Sequence, residues 1–236
     1  MTTYRLGKLP ATRPHGLREL AVYAQGRLPQ PPAEWPVPRA SYPLDGNSQW
    51  GCCVASGAAH LVAAWDAAFQ ESDPVPNEDE VVRTYFDLTG GPDSGLNEAT
   101  VLGVWQRVGL FGERIAGYAP VATSDIVGLH QAVALYGGAM LGIACPESAQ
   151  QQFAAGEPWT VVPGSQILGG HCVIALGYTP QAVLCATWGG IAEVTYPFLA
   201  AYLDEAWAIL PHQLVEARKD GLGIDLETLQ ADLRNI

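Results

Sequence analysis

Hydrophobic positions recur with a helical period in the first half of this chain and as short apolar or alternating runs in the second. Over residues 52–70, Val54, Ala58, Leu61, Val62, Trp65 and Phe69 fall at i, i+4, i+7, i+8, i+11 and i+15, one face of a helix. That helix is expected to stop before Asp73-Pro74-Val75-Pro76. A second helix is expected over 77–89, with Asn77 as N-cap, Glu80 three residues on, and Gly90-Gly91-Pro92 as its stop. A third, also Asn-capped, spans 97–109. From there the pattern predicts a strand at 113–119, a short helix at 124–136, a strand at 138–145 and a short helix at 146–155. Successive antiparallel strands follow at 170–178, 182–188 and 192–196, then a short helix at 197–205 and a last strand at 206–210. The sum is an α+β chain: a helical first half, a strand-rich second half and a cleft between them.

Both ends break this pattern. Residues 1–43 hold eight of the 18 prolines and leave room for helix only around 15–25. The rest of this arm is expected to be extended and to wrap a surface rather than form a core. The tail, 212–236, ends in a small amphipathic helix at Leu226–Leu233. The expected organisation is therefore an arm (1–43) and one domain (44–236), the latter made of a mainly helical part (44–112), a β-rich part (113–211) and the tail.

Charge sharpens the contrast between arm and body. Residues 1–43 carry six Lys/Arg against two acids, whereas 44–213 carry three basic residues and 17 acidic ones. The arm either lies across the body, attracted by its field, or reaches a separate acidic partner. The net charge of −12 argues against nucleic acid as a partner, since phosphate binding needs basic surface. No window approaches 18 uninterrupted apolar residues, so no membrane span is expected, and the first residues lack the apolar core of a secretion signal. Five cysteines (52, 53, 145, 172 and 185), an odd number without zinc-type spacing, suit free thiols in a reducing compartment. The expected location is the cytoplasm. No cofactor and no metal set is indicated: the glycine pairs 90–91 and 169–170 lack phosphate-loop spacing.

Two short segments about 120 residues apart carry the candidate chemistry. In Gly46-Asn47-Ser48-Gln49-Trp50-Gly51-Cys52-Cys53 a cysteine opens an apolar helix, where free N–H groups and the helix dipole favour a thiolate. Gly51 permits a tight entry. Cys52 shares this position, and helix physics alone does not choose between the two. In Gly169-Gly170-His171-Cys172 a histidine opens a strand, and a neutral imidazole in reach of the thiol would take its proton. His60 lies at i+7 from Cys53, about 10 Å along the helix, too far to serve as that base. Asn47, six residues before Cys53, is a candidate oxyanion donor beside the Cys53 N–H, with Gln49 as the alternative and a turn role in Asp45-Gly46-Asn47 as the plain reading.

These residues resemble papain-like cysteine peptidases: an amide side chain six positions before the nucleophile, the nucleophile opening the central helix, a histidine opening a later strand, and Trp188-Gly189 in the next one. GNSQWGCC, GGHCVIALGY, CATWGG and YPFLAAYLDEAWAIL are further similar to a papain-fold family of phages and prophages, with patterns GN-x-Q-[YW]-G-x-C, GGHAV, TWG and F-x-x-Y-x-x-EAYA. The resemblance runs from about residue 40 to the C-terminus. It implies a helical lobe with the cysteine on a central helix, a β-sheet or barrel lobe with the histidine, and Cys53 rather than Cys52 as nucleophile. One departure concerns the residue that orients the histidine: the usual asparagine is Ala186 here. Thr187, a backbone carbonyl or Asp204 would have to serve instead.

The expected function is hydrolysis of a peptide or isopeptide bond by Cys53 and His171, with Asn47 as oxyanion donor, Thr187 as orienter and a peptide or protein as substrate. The alternative is a catalytically silent module of a phage particle, bound to capsid or tail proteins through its arm.

Overall fold

The computed structural model describes residues 4–69, 75–217 and 223–236. The expected helix stop at Asp73-Pro74 lies outside them. The chain opens with a short helix α1 (Leu20–Ala24), then α2 (Cys53–Phe69), α3 (Glu78–Thr89) and α4 (Glu98–Arg107). Asn77 and Asn97 cap α3 and α4 as the sequence predicts, accepting from the Glu80 and Thr100 N–H groups, and Gly90 ends α3 in the left-handed region.

The second half alternates strands with short helices: β1 (Ile115–Pro120), α5 (Ile126–Tyr136), β2 (Ala139–Pro146), α6 (Glu147–Ala155), β3 (Ile167–Tyr178), β4 (Ala182–Thr187), β5 (Gly190–Thr195), α7 (Tyr196–Tyr202), β6 (Leu203–Pro211), α8 (His212–Ala217) and α9 (Leu226–Arg234). The strands form one antiparallel sheet in the order β1-β6-β2-β3-β4-β5.

The core lies between this sheet and α2. Val54, Ala58, Leu61, Val62 and Trp65 are buried, as the periodicity predicts. Gly57 lets the helix settle on β3: a Cβ there would stand 2.9 Å from Ile174 Cδ1 and 3.1 Å from Cys172 Sγ. Burial of one such aliphatic side chain contributes about 1.5–3 kcal/mol. The packing fixes the start of α2 opposite the start of β3's buried half, and so sets the candidate cysteine against the candidate histidine.

Two elements depart from expectation. Residues 203–205, expected to be helical, are strand: Leu203 pairs with Ile143 and Glu205 with Gly142 on β2. Ladder hydrogen bonds with a distant strand outweigh the local helical preference of Leu-Asp-Glu. Helix α8 was not expected at all. The arm does wrap the body, but it also contributes to the core through Leu17, Leu20 and Tyr23. Its cations meet the body's acids: Arg18 pairs with Asp232 at 2.7 Å, and Lys8 with Asp204 and Glu205.

Candidate active site

Cys53 is the first residue of α2, and the Cys52 carbonyl accepts the Ser56 N–H to start the helix. The turn before it is braced from outside, because Gly51 N–H donates to Asp93 Oδ1 at 3.0 Å and the Tyr85 hydroxyl donates to the same oxygen. Cys53 is buried, and burial pushes its thiol up to about 12. The N–H groups of Cys172 and Gly7 lie against the sulfur and oppose that shift.

His171 stands in β3 and is also buried. Burial pushes its imidazole down to about 3. Nε2 lies 2.7 Å from Thr187 Oγ1 on β4, while Nδ1 has no hydrogen-bond partner among the described residues. The ring stacks on Trp188 with centroids 4.3 Å apart and planes 19° apart. Thr187 occupies Nε2 and leaves Nδ1 as the ring nitrogen open to a thiol proton. Cys53, His171, Asn47 and Thr187 line one narrow cavity of about 10 Å³, with Ala186 and Trp188 also in its wall.

The remaining candidates fall as follows. Asn47 is buried at the cavity edge, and its Nδ2 lies 3.1 Å from the Trp50 carbonyl and 3.6 Å from Cys52 Sγ. Gln49 is exposed. The Cys52 thiol turns to the Asp45 carbonyl at 3.2 Å. His60 borders the same cavity, but its Nε2 is held by the Pro43 carbonyl at 2.8 Å and Asp45 Oδ2 at 3.3 Å. Asp204 is engaged by Lys8. All five cysteines are free and buried.

What sequence reasoning missed is the path of the arm. Residues 4–9 run through the cleft between the two halves. Arg5 N–H donates to the Asn47 carbonyl, Lys8 N–H to Gly170, Leu9 N–H to Leu96, and Leu96 N–H to the Gly7 carbonyl, all at 2.8–3.1 Å. Lys8 thus bridges β3 on one side and the start of α4 on the other. Tyr4 stacks on the Trp188 indole, which itself stacks on His171, with Tyr4 and Trp188 centroids 4.7 Å apart. Glycines make the passage possible: a Cβ on Gly7 would fall 1.8 Å from the Gly51 oxygen, one on Gly95 2.4 Å from the Gly7 oxygen, and one on Gly170 2.3 Å from the Lys8 oxygen. These three glycines were the available signal, since close backbone approach is one of the demands that only a residue without a side chain meets.

The Gly7 carbonyl accepts the Leu96 N–H at 2.8 Å.

The chain matches no protein-family model and no curated protein. Among solved structures it is similar to xylellain, a cysteine protease from Xylella fastidiosa, with a TM-score of 0.69 and 14% identity over 89% of this chain and 98% of that one. It is also similar to the cysteine protease and lectin-like domains of Cwp84, a surface layer associated protein of Clostridium difficile, with a TM-score of 0.55 and 12% identity over 89% of this chain. The match spans 56% of that second chain.

The fold is that of papain-like cysteine proteases.

This accords with the α+β layout read from the sequence, the cysteine opening the long helix of the papain-like fold and the histidine within its sheet. The more specific phage similarity gains no support from these papain-like neighbours. At such identities the likeness extends to architecture, and the chemistry must be argued from the residues themselves. Among the described residues no helix is long and apolar enough to cross a membrane.

Proposed function

We propose that the chain is a papain-like thiol hydrolase acting on a peptide or isopeptide bond, with residues 1–43 as an arm whose inner segment blocks the site and 44–236 as the hydrolase domain. One observation carries the reading. Cys53 and His171 line the same narrow cavity, and the histidine nitrogen left without a partner is the one not held by Thr187.

The reaction starts when the arm leaves the cleft. Water and the helix N-terminus then stabilise charge that burial now forbids, and the thiol proton passes to His171 Nδ1. The thiolate attacks the scissile carbonyl carbon. The resulting oxyanion is held by the Cys53 N–H and by the Asn47 N–H that now rests against the soft Cys52 sulfur. The imidazolium returns its proton to the amine as the C–N bond breaks. Water, deprotonated by His171, then attacks the thioester and frees the acid and Cys53. Thr187 keeps the ring in the productive tautomer throughout, the task that an asparagine at 186 would otherwise perform.

The alternative, a silent phage-particle module anchored by its arm, fits less well. The inner arm is committed to the chain's own cleft, and Thr187 holds His171 Nε2 where the usual asparagine is absent. The test is peptide hydrolysis by full-length protein carrying Gly7→Val, which forces the arm out. Turnover that disappears when Cys53→Ala is added supports the assignment; turnover that survives it, or none in either protein, overturns it.

A further inference from the structure

Lys8 is a buried cation of the arm, unlike the exposed Arg13 and Arg18. Its side chain is fully buried. The ammonium donates to Asp204 Oδ2 at 3.0 Å and to the Leu9 carbonyl at 3.3 Å, and it forms an ion pair with Glu205 Oε1 at 2.9 Å. Glu205 is held in place from behind, its Oε2 accepting the Trp207 indole N–H at 2.9 Å. Glu98, at the start of α4, is wholly buried, and neither of its carboxylate oxygens has a hydrogen-bond partner among the described residues. Two carboxyl groups thus hold one ammonium.

The aliphatic stem is accommodated as specifically as the charge. It passes over Gly142 of β2, where any Cβ would fall 2.0 Å from Lys8 Cε. The pocket opens on the groove where Gly170 accepts and Leu96 both donates and accepts main-chain hydrogen bonds, contacts that any extended peptide satisfies. Main-chain pairing gives affinity without selection, so selection falls to the side chain entering the pocket. A neutral side chain there would leave the buried Glu205 carboxylate without its cation, a large penalty.

We propose that this pocket, built from Asp204, Glu205 and Gly142, is the specificity site of the hydrolase and selects substrates with a lysine side chain, Lys8 being its internal occupant in the resting protein. This rests on the thiol-hydrolase reading above. With the Gly7 carbonyl engaged by the Leu96 N–H, Lys8 fills the pocket without being cut, whereas a substrate fills it with a carbonyl over the sulfur.

The test uses the full-length chain with Gly7→Val and Lys8→Ala, which empties both groove and pocket, and has two readouts. The first is thermal stability with n-butylammonium or n-butanol. Selective, saturable stabilisation by the ammonium, lost on adding Glu205→Gln, is expected; equal effects of the two compounds overturn the pocket. The second is cleavage of peptide pools differing only in lysine, norleucine or glutamate at one position, scanned on both sides of the cut. Lysine should exceed norleucine at a single position by at least about tenfold, since a site built around a substrate's polar group rejects analogues lacking it. Glu205→Gln should reduce that ratio severalfold. Equal cleavage of lysine and norleucine pools at every position overturns the proposal. Ammonium-selective stabilisation without any cleavage overturns the hydrolase reading instead and leaves the pocket's preference for an alkylammonium standing.

Discussion

His171 Nε2 and Thr187 Oγ1, carried on neighbouring strands and 2.7 Å apart, form a buried hydrogen bond that determines which imidazole nitrogen faces the cavity. Thr187→Val keeps the shape and removes the hydroxyl. It should destabilise the protein by about 1–3 kcal/mol, the usual cost of stranding a buried polar group. It should also slow Cys53 alkylation in the arm-released Gly7→Val protein, while Thr187→Ser preserves both. Denaturant melts and labelling rates check the two effects separately, and an unchanged labelling rate in the valine variant would remove Thr187 from the site.

The depressed imidazole of His171, at about 3 in the folded chain, gives stability a pH dependence of known sign. An unfolded histidine binds its proton near pH 6.5. Between that value and about 3 the unfolded state therefore holds a proton that the folded state lacks, so stability falls as the solution is acidified through this window. Each pH unit corresponds to about 1.4 kcal/mol at most. Comparing urea melts of wild type and His171→Gln at several pH values isolates the contribution, and the difference between them should shrink steadily from pH 6.5 downward.

Glu98 has the opposite dependence. Burial, reinforced by the charge of Glu205 and opposed by Lys8, holds its carboxyl well above the usual range. The unfolded state ionises first, so Glu98 costs stability progressively as pH rises above about 4.3. Glu98→Gln should thus be tolerated at neutral pH and gain stability relative to wild type as pH increases from 4 to 7. A glutamine variant that loses stability over this range would show that Glu98 works as a carboxylate against Lys8.

Gly142→Ala should expel Lys8 from its pocket, because the new methyl group would lie 2.0 Å from Cε, 2.6 Å from Glu205 Cγ and 2.7 Å from Asp204 Oδ1. Lys8→Met leaves the buried Glu205 without its cation, at a cost of about 3–5 kcal/mol. Both variants should make the arm more susceptible to limited proteolysis between residues 4 and 13, with the rest of the chain resistant.

The sequence made α2, the asparagine caps of α3 and α4, and the Cys53–His171–Thr187 set legible, because each follows from local pattern or short motif. It did not show that Leu203–Glu205 is strand, since only pairing with Gly142 and Ile143 makes it so. Nor did it show where Lys8 goes. A lysine in a proline-rich stretch reads as surface charge, and Glu98 reads as an ordinary first-turn acid; their meeting depends on the arm crossing the cleft. Asn47 was legible as a cavity residue, but not that its amide would rest on Trp50 and Cys52 while the arm is bound.

The most direct test of the account is the pH profile of iodoacetamide alkylation at Cys53, resolved from the other four cysteines by mass spectrometry, in wild type, Gly7→Val and Gly7→Val/His171→Ala. The account predicts slow labelling of wild type below pH 9, rapid labelling of Gly7→Val persisting well below pH 8, and loss of that rapid phase when His171 is removed. Labelling of Cys53 that is equally slow in all three proteins, or equally fast with and without His171, would contradict it.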